Sequence, residues 1–353
     1  MKIKAIPLLL SLCLLLSCLS LFSCKKEKPL EKFNSYSFDY FDTVTTITGY
    51  AESKEAFDEV ASEILAELGD YHRLFTIYHR FEGMENLCTV NELVNGSHRT
   101  VTVDRRIVDL LLYAKEMHAL TGGRINIAMG SVLSIWHDYR TEGINDVTAA
   151  KLPPMEALLE AAKHTDIQNL VIDEEACTVT ITDPKMTLDV GAIAKGYAVE
   201  MAAQTLEKKG ITGYVINVGG NVRTVGSKPD GEGWTVGIED PADPSADYIA
   251  YLSLSGESLV TSGSYQRYYL VNGERYHHII HPDTLMPAKG FLSVSILTPH
   301  SGNGDALSTA LFCMSFEEGL ALVESLPETE AQWVFSDGSI RTSSGWSRHT
   351  VNP

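Results

Sequence analysis

Between residues 54 and 69 the apolar side chains Phe57, Val60, Ala61, Ile64, Leu65 and Leu68 return every three or four positions, the spacing that lays them along one stripe of a helix. Residues 105–119 repeat the pattern with Ile107, Val108, Leu111 and Leu112, behind Asp104 as a cap and ahead of Gly122 and Gly123 as a stop. From 169 to 190 the pattern shifts to short β-rich runs at 170–173, 178–182 and 186–190, punctuated by charged turns and Pro184. A helix is predicted over 192–209, ended by Gly210, and further strands over 214–218, 234–239, 249–254, 267–271 and 293–298. Helices at 305–313 and 316–325 follow, the second behind a capping box of Ser315 and Glu318. Strands and helices are both plentiful but do not alternate as βαβ units. The pattern therefore predicts an α+β fold, mixed or antiparallel sheets with packed helices, and no Rossmann sheet.

The N-terminal segment differs in kind. Lys2 and Lys4 precede a Leu-rich run from Ile6 to Phe22, and Ser23 and Cys24 follow it, the layout of a signal peptide. Ser11, Ser17 and Ser20 interrupt the run, which weighs against a permanent membrane helix of about 20 apolar residues. Leu21 to Cys24 looks like a bacterial lipobox, with Cys24 as the lipidated residue and Cys18 as the alternative cleavage point. Residues 1–23 are thus expected to be a lipoprotein signal, 24–34 a tether and 35–353 the catalytic unit, held by lipid on the extracytoplasmic face of a cell membrane.

Composition narrows the partners. With 353 residues, 44% hydrophobic and 21% charged, the chain can bury a sizeable core, which excludes bulk disorder. The formal charge of −18 is opposite to a phosphate-neutralising footprint, so nucleic acid is not expected as a partner. Once Cys13, Cys18 and Cys24 are assigned to the leader, Cys88, Cys177 and Cys313 remain, too widely spaced for a disulfide framework or a zinc motif. Cys177 and Cys313 sit in apolar patterns and read as small buried hydrophobes.

Four segments could carry chemistry. In LDVGAIAKGYA (188–198) an apolar run ends at Asp189 and Gly191 turns the backbone into a helix, exposing free N–H groups beside a carboxylate. Lys195, about one turn in, could reach a phosphate oxygen; an Asp cap, a turn glycine and a solvated lysine explain the segment equally well by themselves. YVINVGGNVRTVG (214–226) is a strand broken by Gly219 and Gly220, matching no Walker or dinucleotide pattern. RYHHIIHPDTLMP (275–287) holds His277, His278 and His281; Pro282 argues against a helix, so a three-His zinc site is poor and one working His with two bystanders is better. In GDALSTALF (304–312), Asp305 and Thr309 lie one helical turn apart, and a carboxylate and hydroxyl so placed can share Mg²⁺ with substrate phosphates.

Together these segments resemble the ApbE family of FAD:protein FMN transferases, over most of the chain from about Phe41 to Ser315. The order is the family's: Asp-x-Gly-x-Ile-x-Lys-Gly-Tyr at 189–197, the paired glycines, VTSGSYQRYY at 260–269, His-Ile-x-x-Pro at 278–282 and Asp-Ala-x-x-Thr at 305–309. The resemblance implies that FMN is moved from FAD onto a Ser or Thr hydroxyl of an acceptor flavoprotein subunit, with Mg²⁺ and release of AMP. It also agrees with a lipoprotein signal, since many members carry one. By position it implies FAD contacts from Phe41, Tyr78, Arg124, Ile125, Asn126, Asp189, Lys195 and Ile279. The Mg²⁺ ligands it implies are the Ala192 carbonyl, Asp305 and Thr309, with Ser308 standing where some members have a carboxylate. His278 matches the catalytic His. Three departures stand out: Asn126 for the usual Asp, Phe41 and Asp42 for Met and Gly, and Leu285 with Met286 in the usual Thr-Gly-x-Pro turn. Two further outcomes stay open at this point: a FAD pyrophosphatase, if water takes the place of the acceptor hydroxyl, and a flavin-binding lipoprotein without catalysis.

Overall fold

The computed structural model describes residues 29–93, 100–243, 245 and 247–352. The expected signal segment and Cys24 lie outside them. Eight strands form one antiparallel sheet in the order β1 (Glu31–Ser37), β2 (Thr45–Ala51), β6 (Tyr214–Val218), β7 (Asn221–Val225), β10 (Ser258–Gly263), β13 (Phe291–Thr298), β14 (Glu330–Phe335) and β15 (Ile340–Thr342). Three small antiparallel sheets flank it: β3 (Thr100–Thr102), β5 (Thr178–Ile181) and β4 (Leu170–Asp173); β8 (Trp234–Ile238) and β9 (Ala250–Leu254); β11 (Tyr268–Val271) and β12 (Glu274–His277). Antiparallel sheets with packed helices are the α+β fold that the pattern predicts.

The stripe on α1 (Lys54–Phe75) explains why the helices gather where they do. Phe57, Ala61, Ile64 and Leu68 are buried in one cluster with Ile107, Leu110 and Leu111 of α3 (Arg105–Leu120) and Ala198 and Ala202 of α6 (Ala194–Lys208). Ile47 of β2 and Ile216 of β6 join the same cluster, so this helical layer closes one side of the sheet. Asp104 caps α3 by accepting from Arg106 N at 2.9 Å, and α8 (Phe316–Ser325) has its capping box. The other helices are α2 (Leu87–Leu93), α4 (Gly130–Asn145), α5 (Met155–Ala162) and α7 (Ser301–Phe312).

Several expectations change. Residues 186–190 join no ladder, because their backbone is committed elsewhere. Gly130 N donates to Thr187 O at 3.0 Å, the Asn91 amide bonds both Leu188 N and Leu188 O, and Asp189 N donates to Ile127 O at 2.8 Å. β1 occupies 31–37, so its first four residues fall in the expected tether of 24–34; its EKFNSYS is mostly polar, yet Phe33 packs its ring 5.6 Å from Phe57. Helix α7 starts at Ser301 rather than 305, since Gly302 and Gly304 disguise its first turn, and α6 starts at Ala194 rather than 192. Cys313 is buried as expected, whereas Cys177 is half-buried in a turn at φ 49°.

One buried ion network ties the sheet to the helices. Arg223 of β7 and Glu200 of α6 are 4% and 3% exposed, paired at 3.1 Å, and Glu200 also accepts from Ser301 N at 2.8 Å. Burial alone would raise the Glu200 pKa, but Arg223 beside it wins and holds it below the ordinary 4.5. A depressed folded value means its stabilisation is complete above about 4.5 and is lost as the pH falls through that lower value. Arg223→Met should lower the unfolding free energy by about 3–5 kcal/mol, because it strands a buried carboxylate. Chemical denaturation at pH 7 measures this; a loss below about 0.5 kcal/mol, the scale of an ordinary surface change, would show that the network carries no stability.

Candidate active site

A cavity of about 870 Å³ opens between α4, α7, the centre of the large sheet and the β8–β9 hairpin. Its floor follows from two helix starts that face each other. Gly196, in the first turn of α6, packs so closely on α7 that a Cβ there would meet Asp305 Cβ and Ser301 O at 2.5 Å. The approach lets Asp305 accept from Gly196 N at 2.8 Å, with Lys195 Nζ 3.5 Å from its other oxygen. Gly196 N is the donor that helical register would give to the Ala192 carbonyl. Diverted to Asp305, it leaves that carbonyl without a donor among the described residues, at the cavity wall. Thr309, one turn beyond Asp305, lines the same wall.

Carboxylate, hydroxyl and free carbonyl oxygens are hard donors that suit Mg²⁺, and three protein ligands leave positions for phosphates and water. Among the described residues no group of three or more His, Cys, Asp or Glu side chains gathers to hold a metal, so the donor set suits a cation shared with substrate rather than an all-protein cage. Asp305 is 4% exposed and lies inside α7, not at the helix start expected at 305. Ser308, unlike Asp305 and Thr309, is off the wall: fully buried, it bonds Ser262 Oγ at 2.8 Å and Asp305 O at 3.1 Å. Gly196→Ala should cost several kcal/mol of stability, as overpacking against backbone does, measured as a lowered denaturation midpoint; an unchanged midpoint would mean that the two helices can part freely.

The three histidines separate cleanly. His277, at the end of β12, is buried, with Nε2 on Ala288 O at 2.8 Å and Nδ1 accepting from Ile279 N at 3.2 Å, so both ring nitrogens are spent on structure. His281 accepts from Asp283 N at 3.1 Å beside Arg124, which pairs with Asp283. His278 lines the cavity, with Nδ1 3.2 Å from Arg267 O. A carbonyl can only accept, so Nδ1 carries the proton and Nε2 keeps a free lone pair. Burial, then the Arg267 charge, pushes the His278 pKa down to about 3, so the imidazole is neutral at physiological pH.

Of the other expected residues, Tyr78, Arg124, Ile125, Asn126, Asp189 and Ile279 all line the cavity. Asp189 accepts from Gly191 N at 2.8 Å, and burial raises its pKa. The departures have physical reasons. Asn126 caps a short 3₁₀ turn through Ala128 N at 3.0 Å and donates to Thr165 O at 2.8 Å, a donation an Asp could not make. Asp42 (φ 52°) and Leu285 (φ 58°) hold the left-handed backbone expected where the family pattern has glycine. Leu285 offsets the strain by burial and by accepting from Trp136 Nε1 at 2.9 Å. Phe41 is the exception. It also has positive φ (57°), and its ring packs edge-on at 5.4 Å against His72, away from the wall; Asp42, Thr43 and Val44 line the cavity instead. Arg140 and His137 of α4 and Tyr265 and Arg267 after β10 also line it. No sequence signal singles out α4, whose only buried residues are Gly130, Val132, Trp136 and Gly143, although 260–269 stood out as a segment.

Comparison with known proteins identifies the family. The ApbE family profile matches residues 41–333. A protein of Klebsiella pneumoniae (strain 342) named "FAD:protein FMN transferase" is 32% identical over 282 residues, 77% of this chain and 84% of that protein. One of the same name from Treponema pallidum (strain Nichols) is 33% identical over 259 residues, 69% and 70%. The crystal structure of the ApbE protein from Thermotoga maritima superposes with a TM-score of 0.77 at 28% identity, covering 91% of this chain and all of the other. A profile match across the segments that build the cavity, together with the shared architecture, makes this chain a member of the ApbE family.

Proposed function

We propose that this enzyme moves the FMN moiety of FAD onto a Ser or Thr hydroxyl of an acceptor flavoprotein subunit and releases AMP. The observation that carries this reading is the convergence, on one cavity large enough for a dinucleotide, of a neutral His278 with a free Nε2 and the oxygen set of Ala192, Asp305 and Thr309. His278 Nε2 takes the hydroxyl proton as the acceptor oxygen attacks the FMN phosphorus. The phosphoester bond forms, the pyrophosphate P–O bond breaks, and its electron pair leaves with AMP. Asp305, Thr309 and the Ala192 carbonyl are the residues that would hold Mg²⁺, which when bound neutralises the phosphates and the departing charge. Lys195 adds positive charge beside Asp305. Asp189 and Tyr78 contact FAD in this reading, and Tyr78 forms part of the mouth, its ring 5.3 Å from His137.

The mature protein is held at the outer face of a cell membrane through lipid on Cys24, which keeps the cavity near membrane-bound or extracytoplasmic acceptors. Incubation with FAD, Mg²⁺ and an acceptor subunit, followed by intact mass, tests the reaction. An FMN-sized adduct on the acceptor supports it; free FMN and AMP alone would make the enzyme a pyrophosphatase, and unchanged FAD would leave only a flavin-binding protein.

A further inference from the structure

Four Lys and Arg side chains line the cavity, and they are not equivalent. Arg124 pairs with Asp283 and Lys195 with Asp305. Arg140 and Arg267 have no carboxylate within ion-pair distance among the described residues, in a chain with 46 acidic against 28 basic side chains. Arg140 is half-buried, and among the described residues its guanidinium bonds only His137 Nδ1, at 3.0 Å. Arg267, at the rim, reaches the Asp42 carbonyl at 3.4 Å. Arg267 is tied to His278 through its carbonyl, which accepts from His278 N at 3.1 Å and from Nδ1 at 3.2 Å, and Arg140 lines the same cavity. Burial, to which the Arg267 charge adds, lowers the Arg140 pKa, and both arginine charges add to the burial that lowers that of His278. Burial makes the unpaired charge of Arg140 costly, and guanidiniums in a cleft match phosphate with two parallel donors each.

From this juxtaposition we infer that Arg140 and Arg267 form an anion subsite that grips the phosphoryl group next to His278, the FMN-side phosphate of the dinucleotide. The inference rests on the transferase reading for which phosphate this is: the base must stand beside the phosphorus that the acceptor attacks, and these arginines stand beside the base. The oxygen set around Asp305 then serves the other end of the pyrophosphate. The division also explains how an acidic enzyme admits an anionic substrate: its two uncompensated cations sit at the reacting centre.

The test is flavin binding by the full chain in metal-free buffer, with FMN and riboflavin as probes, which differ only by the phosphate. Wild type should bind FMN more tightly than riboflavin. Arg140→Met and Arg267→Met should each weaken FMN about 10–100-fold, the scale of a charge-assisted contact, and leave riboflavin unchanged. Arg140→Lys should recover part of the loss, since it restores charge without the bidentate fork. Equal loss of FMN and riboflavin in the Met variants, or a wild type with no preference for FMN, overturns the inference. Failure of the transferase reading is separately visible: an arginine-dependent FMN preference in an enzyme that yields no adduct keeps the subsite and removes the transfer.

Discussion

His278→Ala should slow FMN transfer about 10²–10⁴-fold at saturating FAD and acceptor, the range for loss of a general base, while FAD still binds. The ring is not what holds its segment in place. The backbone does that, through His278 N on Arg267 O at 3.1 Å and Ala288 N on Ile279 O at 2.9 Å, and alanine keeps both bonds. His277→Ala should behave in the opposite way, since it removes a buried ring bonded at both nitrogens and therefore costs stability before chemistry. The pH profile gives a second check. With a free-enzyme pKa near 3, kcat/KM should show no acidic limb near the ordinary histidine value of 6.5 that depends on His278. Near-normal transfer by His278→Ala, with a folded but inactive His277→Ala, would move the base to His277.

Asp305→Ala should abolish Mg²⁺-dependent turnover and also weaken the fold. Outer-shell partners of a bound metal typically account for about 10–100-fold in affinity or activity, so a direct carboxylate ligand should account for at least that. The same change strands the buried Gly196 N–H and leaves Lys195 without its partner, a structural cost of about 1–3 kcal/mol. Asp305→Asn separates the two roles, since a side-chain amide oxygen can still accept from Gly196 N while the charge for the cation is gone. It should remain near wild type in denaturation midpoint and be as inactive as alanine. Activity in Asp305→Asn that persists without added Mg²⁺ would place the cation elsewhere.

How far the sequence reached depends on where each signal lived. Helices with a stripe, such as 105–119, and strands with β-branched alternation, such as 214–218, were legible because their burial is one-sided and periodic. The run 186–190 looked like a strand because its apolar residues are buried, but its hydrogen bonds go to Asn91 and the turn at 127–130, which no local pattern announces. The same limit governs the site. Asp305, Thr309, Lys195 and His278 stand out in compact motifs, whereas Arg140 lies on α4 outside any motif, four residues beyond the buried Trp136, and reaches the cavity only through tertiary packing. The burial of Asp305 was hidden for a related reason: it depends on Gly196, 109 positions away, letting two helices meet. Phe41 illustrates the converse, a motif position whose backbone turns its side chain off the wall.

The central claim is that the phosphorus of FMN passes to a protein hydroxyl rather than to water, and the stoichiometry of AMP release tests it most directly. The purified enzyme with FAD and Mg²⁺ should release AMP slowly or not at all, and addition of an acceptor subunit should release one AMP for each FMN bound covalently. AMP released at the same rate with and without the acceptor, with no adduct formed, would contradict the account.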